Sequence, residues 1–139
     1  MKRVAISLAG FAILLVAVSW WALESSDVVP IETRGAGGKT RSTHVWWVES
    51  DQQIWLEAGS PSNGWFVGVG ENPRVGISWN DEPREYVAIP LPDATHHDWI
   101  RSAIRRKYGF RDRWINLLVD TSRSVAVRLV PASSVESTE

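Results

Sequence analysis

The sequence predicts a mainly β (α+β) domain, namely a small antiparallel β-barrel with one or two helices, preceded by a single N-terminal transmembrane helix. Three observations support this fold class. Six segments rich in β-branched and aromatic residues are separated by short turns, a pattern typical of small barrels. A helical segment precedes the last strand, and an uncharged run of bilayer-spanning length begins the chain.

The N-terminal run, residues 4–23, contains no charged residue and follows Met1-Lys2-Arg3. The pair Trp20-Trp21 near its end suits a membrane interface, and the cations before the run place the N-terminus in the cytoplasm. Cleavage of a signal peptide after Ala17-Val18-Ser19 is the alternative, although it would leave Trp20 at the new N-terminus. We therefore expect an uncleaved anchor, and hence a single-pass membrane protein whose domain is extracytoplasmic.

The strands are predicted from alternation of residue types and from the turns between them. Asp51-Gln52 is a polar pair between two β-rich arms and predicts a hairpin. Asn80-Asp81-Glu82-Pro83 returns the chain after a segment in which apolar residues alternate with small or polar ones. In the last strand, Val125, Val127 and Leu129 are expected to face inward. The six expected strands comprise residues 28–33, 43–50, 53–59, 75–79, 84–91 and 124–130.

Two helices are expected between the fifth and sixth strands. Asp93 or Thr95 can cap the first, which continues to about Lys107. Arg101, Arg105 and Arg106 are expected largely on its solvated face, opposite Ala103 and Ile104. The second covers residues 112–119 and is expected to bury Trp114, Ile115 and Leu118. The apolar segment 65–69 is compatible with helix and strand alike. The domain boundaries that follow are an anchor at 1–23, a linker at 24–30, the barrel domain at 31–131 and a disordered tail at 132–139.

Composition excludes several classes of function. The chain has no cysteine, which rules out disulfides, thiolate metal sites and cysteine nucleophiles. Its formal net charge of −1, which is more negative once Lys2 and Arg3 are set aside, lacks the broad basic field of a duplex-binding protein. No nucleic-acid partner is therefore expected. No metal site is expected either, since adjacent His96 and His97 would point in different directions on a helix.

A basic, Gly-rich turn lies between the first two strands. Three glycines between Arg34 and Arg41 can adopt positive φ and present backbone N–H groups, while Lys39 adds positive charge. This pattern predicts a site for phosphate or a similar anion, with a solvated basic β-turn as the alternative. A nucleotide P-loop is excluded because Thr33 stands where its first glycine is required, and because a strand rather than a helix follows.

Three segments together resemble the deazaflavin-dependent nitroreductase family: the basic turn, the stretch from Trp65 to Asn72-Pro73-Arg74-Val75, and the closing segment 121–131. That family belongs to the split β-barrel flavin-binding proteins, relatives of pyridoxamine-phosphate oxidase. The resemblance extends over roughly residues 31–131 and lies in the order and spacing of the segments. It implies a split β-barrel and a flavin-type cofactor. Because split barrels of this kind often pair, it also implies a homodimer.

The resemblance further implies which residues bind the cofactor. The basic turn and the next strand would hold its phosphate side, and the loop before Trp65 would line the ring site. The cofactor would be deazaflavin or FMN, and the small-molecule substrate a quinone or nitro compound reduced by hydride transfer. No catalytic side chain is singled out, because the cofactor carries the chemistry. The residues assigned to cofactor binding are Gly37, Gly38, Lys39, Arg41, Ser60, Ser62, Asn63 and Trp65.

A second hypothesis comes from another functional class, a non-catalytic split barrel that binds a small molecule or an envelope protein. It is favoured by Trp65-Phe66-Val67-Gly68-Val69, which stands where the family has Trp-x-x-Asn-Leu, and by the outward-facing domain. Binding of a flavin-type cofactor by the purified protein distinguishes the two hypotheses. Tyr86 and Tyr108 are available as hydrogen-bond donors to a substrate, but half-buried rings with solvated hydroxyls are the expectation for both.

Overall fold

Six antiparallel strands close into a barrel in the computed structural model, which describes residues 2–24 and 27–136. The strands are β1 (Val28–Arg34), β2 (Thr40–Ser50), β3 (Gln53–Ala58), β4 (Arg74–Trp79), β5 (Glu82–Leu91) and β6 (Val125–Pro131). Around the barrel they follow the order β1-β2-β3-β6-β5-β4, so that β6 inserts between β3 and β5. The predicted antiparallel barrel is confirmed.

Five α-helices accompany the strands within the described residues, and a short 3₁₀ helix (Ala36–Gly38) lies between β1 and β2. The α-helices are α1 (Lys2–Glu24), α2 (Gly64–Glu71), α3 (Ala94–Tyr108), α4 (Phe110–Leu118) and α5 (Ala132–Glu136). The apolar segment that was compatible with helix and strand is therefore part of α2. A short helix also forms in the segment after Pro131, where a disordered tail was expected, and Ala132 at its start is buried. Residues 137–139 of that tail lie outside the described residues.

Alternation along the strands builds the barrel core. Ile31, Leu56, Ile77 and Val127 from four different strands have no solvent exposure and pack together inside. Val125, Val127 and Leu129 all point into this core, as their alternation predicted. Two hairpin turns, Asp51-Gln52 and Asn80-Asp81, have positive φ at both residues, the backbone that matches the twist of paired strands.

A second apolar layer lies outside the barrel, where α3 packs against β2 and β6. Ile100, Ala103 and Ile104 of α3 contact Val48 and Ala126 on the outer faces of the strands. The helix begins as predicted at Asp93, whose carboxylate accepts the N–H of His96 at 3.1 Å. It ends at Gly109, which has a φ of 55° and lets α4 start immediately afterwards.

The predicted burial pattern of α4 is wrong. Its buried residue is Asp112, whereas Trp114 and Ile115 are half-buried and Leu118 is 55% exposed. The physical reason is that a guanidinium from α3 neutralises the Asp112 carboxylate, so that a charged side chain can occupy the inner face of α4.

The segment predicted to cross a membrane forms α1. Ser19 of this helix accepts a hydrogen bond at 3.1 Å from the indole N–H of Trp114, which connects α1 to α4. Among the residues that the structure describes, no helix combines the length and the apolar character needed to span a bilayer. The prediction of a transmembrane helix over residues 4–23 is therefore not supported.

Candidate functional site

A cavity of about 480 Å³ lies between β2, the end of β3, the start of α2 and the helix α4. Apolar side chains form part of its wall, among them Val45, Trp65 and Ile115. Its charged side chains lie at its two ends. At one end of the cavity, Arg41 stands alone among the described residues of the lining where β2 approaches α2, and at the other end Glu57, Arg101 and Asp112 lie together where β3, α3 and α4 meet.

The Arg41 end combines a guanidinium with a helix N-terminus. A Cβ atom at Gly64 would overlap the Arg41 guanidinium, so the side chain of Arg41 lies directly over the first residue of α2. The first backbone bond of this helix runs from the N–H of Val67 to the carbonyl of Asn63, and the Asn63 side chain makes no capping bond. The preceding amides therefore have no acceptor within the helix and are available to an anion.

A second, smaller cavity adjoins the first at Arg41. It has a volume of about 280 Å³, shares Arg41 and Gly64 with the larger cavity and adds Lys39 and Gly35 to its lining. Within the described part of the chain, no carboxylate forms an ion pair with Arg41 or Lys39. Glu71 lines the same small cavity, so that its lining has two cations and one carboxylate.

The Arg101 end is a buried ion cluster. One guanidinium nitrogen of Arg101 donates to both carboxylate oxygens of Glu57 at 2.8 Å, and the other donates to Asp112 at 2.5 Å. The exposed fraction of the side chain is 11% for Arg101, 5% for Glu57 and 2% for Asp112. Burial lowers the pKa of Arg101, but the two carboxylates outweigh this effect and raise the pKa above its ordinary value. Arg101 of α3 is therefore held charged between Glu57 of β3 and Asp112 of α4.

The cluster continues along α4 through neutral groups. The Asn116 amide donates to Asp112 at 3.1 Å, and the Thr121 hydroxyl donates to the Asn116 carbonyl oxygen at 2.6 Å. Thr121 also lines the large cavity, as do Glu57, Arg101 and Asp112. A continuous hydrogen-bonded chain thus forms one wall of the cavity.

Comparison with known proteins identifies the family. The profile of the F420H(2)-dependent quinone reductases matches residues 19–130, which is most of the chain. The chain belongs to the F420H(2)-dependent quinone reductase family. The predicted resemblance to deazaflavin-dependent reductases is confirmed by this match. A comparison with curated protein sequences finds no significant match.

Several solved structures have a similar fold. The conserved hypothetical protein Rv2991 from Mycobacterium tuberculosis has a TM-score of 0.58 at 20% identity, covering 87% of this chain and 79% of that protein. An F420-H2 dependent reductase (FDR-A) has a TM-score of 0.52 at 21% identity, covering 75% of this chain and 94% of that protein. HutZ, a heme storage protein from Vibrio cholerae, has a TM-score of 0.58 at 14% identity, covering 79% of this chain and 84% of that protein. At these identities the likeness concerns the fold.

The cavities fit the cofactor that the F420H(2)-dependent quinone reductase family implies. A deazaflavin has a flat ring and a phosphate-bearing side chain, so its site needs an apolar slot beside an anion site. The larger cavity has a volume suited to a small ligand, and the aromatic residues Trp46 and Trp65 are part of its lining. The guanidinium that fills the space above Gly64 supplies the anion site. The donor set is therefore compatible with the cofactor.

The structure brings some of the predicted cofactor residues together and leaves others apart. Arg41, Asn63 and Trp65 line the large cavity, and Lys39 lines the small one. Ser60 and Ser62 lie in the loop before α2, where their hydroxyls bond to each other at 2.8 Å and line neither cavity. The turn glycines have the expected positive φ but also lie outside both linings. They are Gly37 (79°) and Gly38 (77°).

Sequence reasoning missed the Arg101 cluster. Arg101 was assigned to a solvated helix face, and neither Glu57 nor Asp112 was considered. A signal was nevertheless present, since Arg101 precedes buried Ile104 and Tyr108 by three and seven residues and so lies on the same helical face. A cation on the buried face of a helix predicts buried carboxylate partners.

The two tyrosines singled out as candidate donors are structural. The Tyr108 hydroxyl donates to the Asp27 carbonyl at 2.7 Å and accepts the Trp47 N–H at 3.0 Å. Its ring is buried and stacks on Trp46 with the centroids 4.4 Å apart, and burial raises the pKa of the phenol. Tyr86 packs in the barrel core. The expectation of half-buried rings is therefore wrong for both.

Proposed function

We propose that this protein is a deazaflavin-dependent reductase that transfers a hydride from bound F420H(2) to a quinone or nitro compound. The observation that carries the proposal is the position of the Arg41 guanidinium over Gly64, at the N-terminus of α2 and at the junction of the two cavities. Family membership favours deazaflavin over FMN as the ring that occupies the large cavity.

Each part of the site then has a defined task. Arg41 and Lys39 pair with the phosphate of the cofactor, and the free amides at the start of α2 complete the anion site. Trp65 and Trp46 bound the flat ring and exclude water from one side. When bound, the reduced cofactor supplies the hydride, while the chain supplies orientation and an enclosed cavity. The space toward Ile115 and Val119 receives the acceptor.

A cofactor titration of the full-length protein tests the proposal. Purified protein is titrated with F420 and, separately, with FMN, and quenching of tryptophan fluorescence is followed. We expect saturable quenching by F420 at micromolar concentration and weaker quenching by FMN. Arg41→Ala should weaken F420 binding at least about tenfold, since a charge-assisted contact to phosphate is lost.

Arg84→Ala is the matched control, because Arg84 is an exposed arginine on β5 that lines neither cavity. This variant should bind F420 as the wild type does. A folded protein that binds neither cofactor contradicts the proposal and leaves the non-catalytic binding module as the remaining hypothesis.

Cellular location and assembly are separate proposals. We retain an extracytoplasmic, membrane-associated location and a homodimer as expectations from the sequence. An outward-facing reductase would need an electron supply other than the cytoplasmic pool of reduced deazaflavin. Fractionation of cells that express the full chain, with protease added to intact cells, tests the location.

A further inference from the structure

The two ends of the large cavity carry opposite charge. At the Arg41 end, Arg41 and Lys39 form no ion pair among the described residues. The small cavity that they line also contains Glu71, so two cations face one carboxylate there, and an anionic cofactor would neutralise the excess positive charge. At the other end, the lining of the large cavity has two carboxylates, Glu57 and Asp112, and one guanidinium, Arg101, which binds both. Carboxylates therefore outnumber cations on this wall of the cavity.

The nearby groups do not remove this excess. Arg105 approaches Asp112 at 3.7 Å, but its side chain is 64% exposed, so water screens much of its charge. Asn116 and Thr121 satisfy hydrogen bonds and carry no charge. Because Glu57 and Asp112 are nearly inaccessible to water, their excess negative charge is poorly screened and acts on the interior of the cavity.

We infer that the Glu57–Arg101–Asp112 cluster makes the acceptor site selective for uncharged acceptors over anionic ones, an inference that rests on the proposed function. An acceptor lying between Trp65 and Ile115 has this cluster as its polar wall. A carboxylate or sulfonate on the acceptor meets a like charge there, whereas a neutral quinone or nitro compound does not. The same wall also disfavours inverted binding of the cofactor, with its phosphate at the Arg101 end.

A matched pair of acceptors tests the selectivity. One is a quinone with a methyl ester on its side chain, and the other is the corresponding free acid, which is ionised at neutral pH and has the same ring. The ratio of kcat/KM for ester over acid is measured with the full-length protein and F420H(2). We expect the wild type to favour the ester by about tenfold, the effect of one like charge at close range.

Charge-neutral substitutions assign the selectivity to the cluster. Asp112→Asn and Glu57→Gln each remove one negative charge at nearly constant shape, and either should bring the ester-to-acid ratio close to one. Asp98→Asn removes a carboxylate from α3 outside the large cavity and should leave the ratio unchanged. A purely structural role of the cluster would lower turnover of both acceptors together without changing their ratio.

The outcomes separate this inference from the proposed function. Equal kcat/KM values for ester and acid in the wild type overturn the inference, and so does a ratio that survives in both charge-neutral variants. Absence of turnover with either acceptor counts against the proposed function instead. If Asp112→Asn does not fold, the ester-to-acid ratios of the wild type and of Glu57→Gln still test the inference.

Discussion

Arg41 and Arg101 line the same cavity, yet their surroundings are opposite. Arg41 is exposed, lies over a helix N-terminus and has no ion pair within the described residues. Arg101 is largely shielded from solvent, with its side chain 11% exposed, and binds two carboxylates from different elements. The same type of side chain therefore serves two purposes. A guanidinium without a carboxylate partner can bind a ligand, whereas a guanidinium paired with carboxylates holds together the elements that form the cavity wall.

The difference also concerns energy. Removing one partner of a buried ion cluster leaves an uncompensated charge in the interior, whereas removing an exposed arginine alters little in the folded state. Substitution of Arg101 should therefore mainly lower stability, whereas substitution of Arg41 should mainly weaken ligand binding.

The largest effect is expected at the buried end. Arg101→Met keeps the length of the side chain but leaves Glu57 and Asp112 buried without their cation. The free energy of unfolding should fall by about 3–5 kcal/mol. Urea unfolding at neutral pH measures it. Arg41→Met is the matched substitution at the other end and should change stability by less than about 0.5 kcal/mol. Equal losses in the two variants would contradict the comparison.

A smaller and more selective effect is expected at Gly64. In Gly64→Ala the new Cβ displaces the Arg41 guanidinium without changing its charge, so F420 affinity should fall about tenfold while the protein stays folded. Gly70→Ala is the control within α2, because a Cβ there meets no atom within 4 Å. Affinity lost equally in both variants would show that α2 itself, rather than the position of Arg41, determines binding.

Much of the barrel was predictable, because strands and hairpin turns depend on local chemistry. Period-two alternation placed Val125, Val127 and Leu129 inward, and polar pairs such as Asp51-Gln52 marked the turns. The basic turn pointed to Arg41 for a similar reason, since its charge and its glycines are adjacent in the sequence.

The ion cluster was not predictable in the same way. Glu57 and Arg101 are separated by 44 positions and become neighbours only when α3 docks on β3. The burial of Asp112 depends on that docking. The sequence of α4 alone therefore could not show that Asp112, rather than Leu118, is its buried residue. The short apolar segment after Trp65 was equally undecided, because its length suits a helix and a strand.

The most direct test of the central claim is a crystal structure of the full-length protein with F420 bound. We expect the phosphate within hydrogen-bonding distance of the Arg41 guanidinium and the first amides of α2, with the ring against Trp65. A phosphate bound at the Arg101 end, or a ring outside the large cavity, would contradict it.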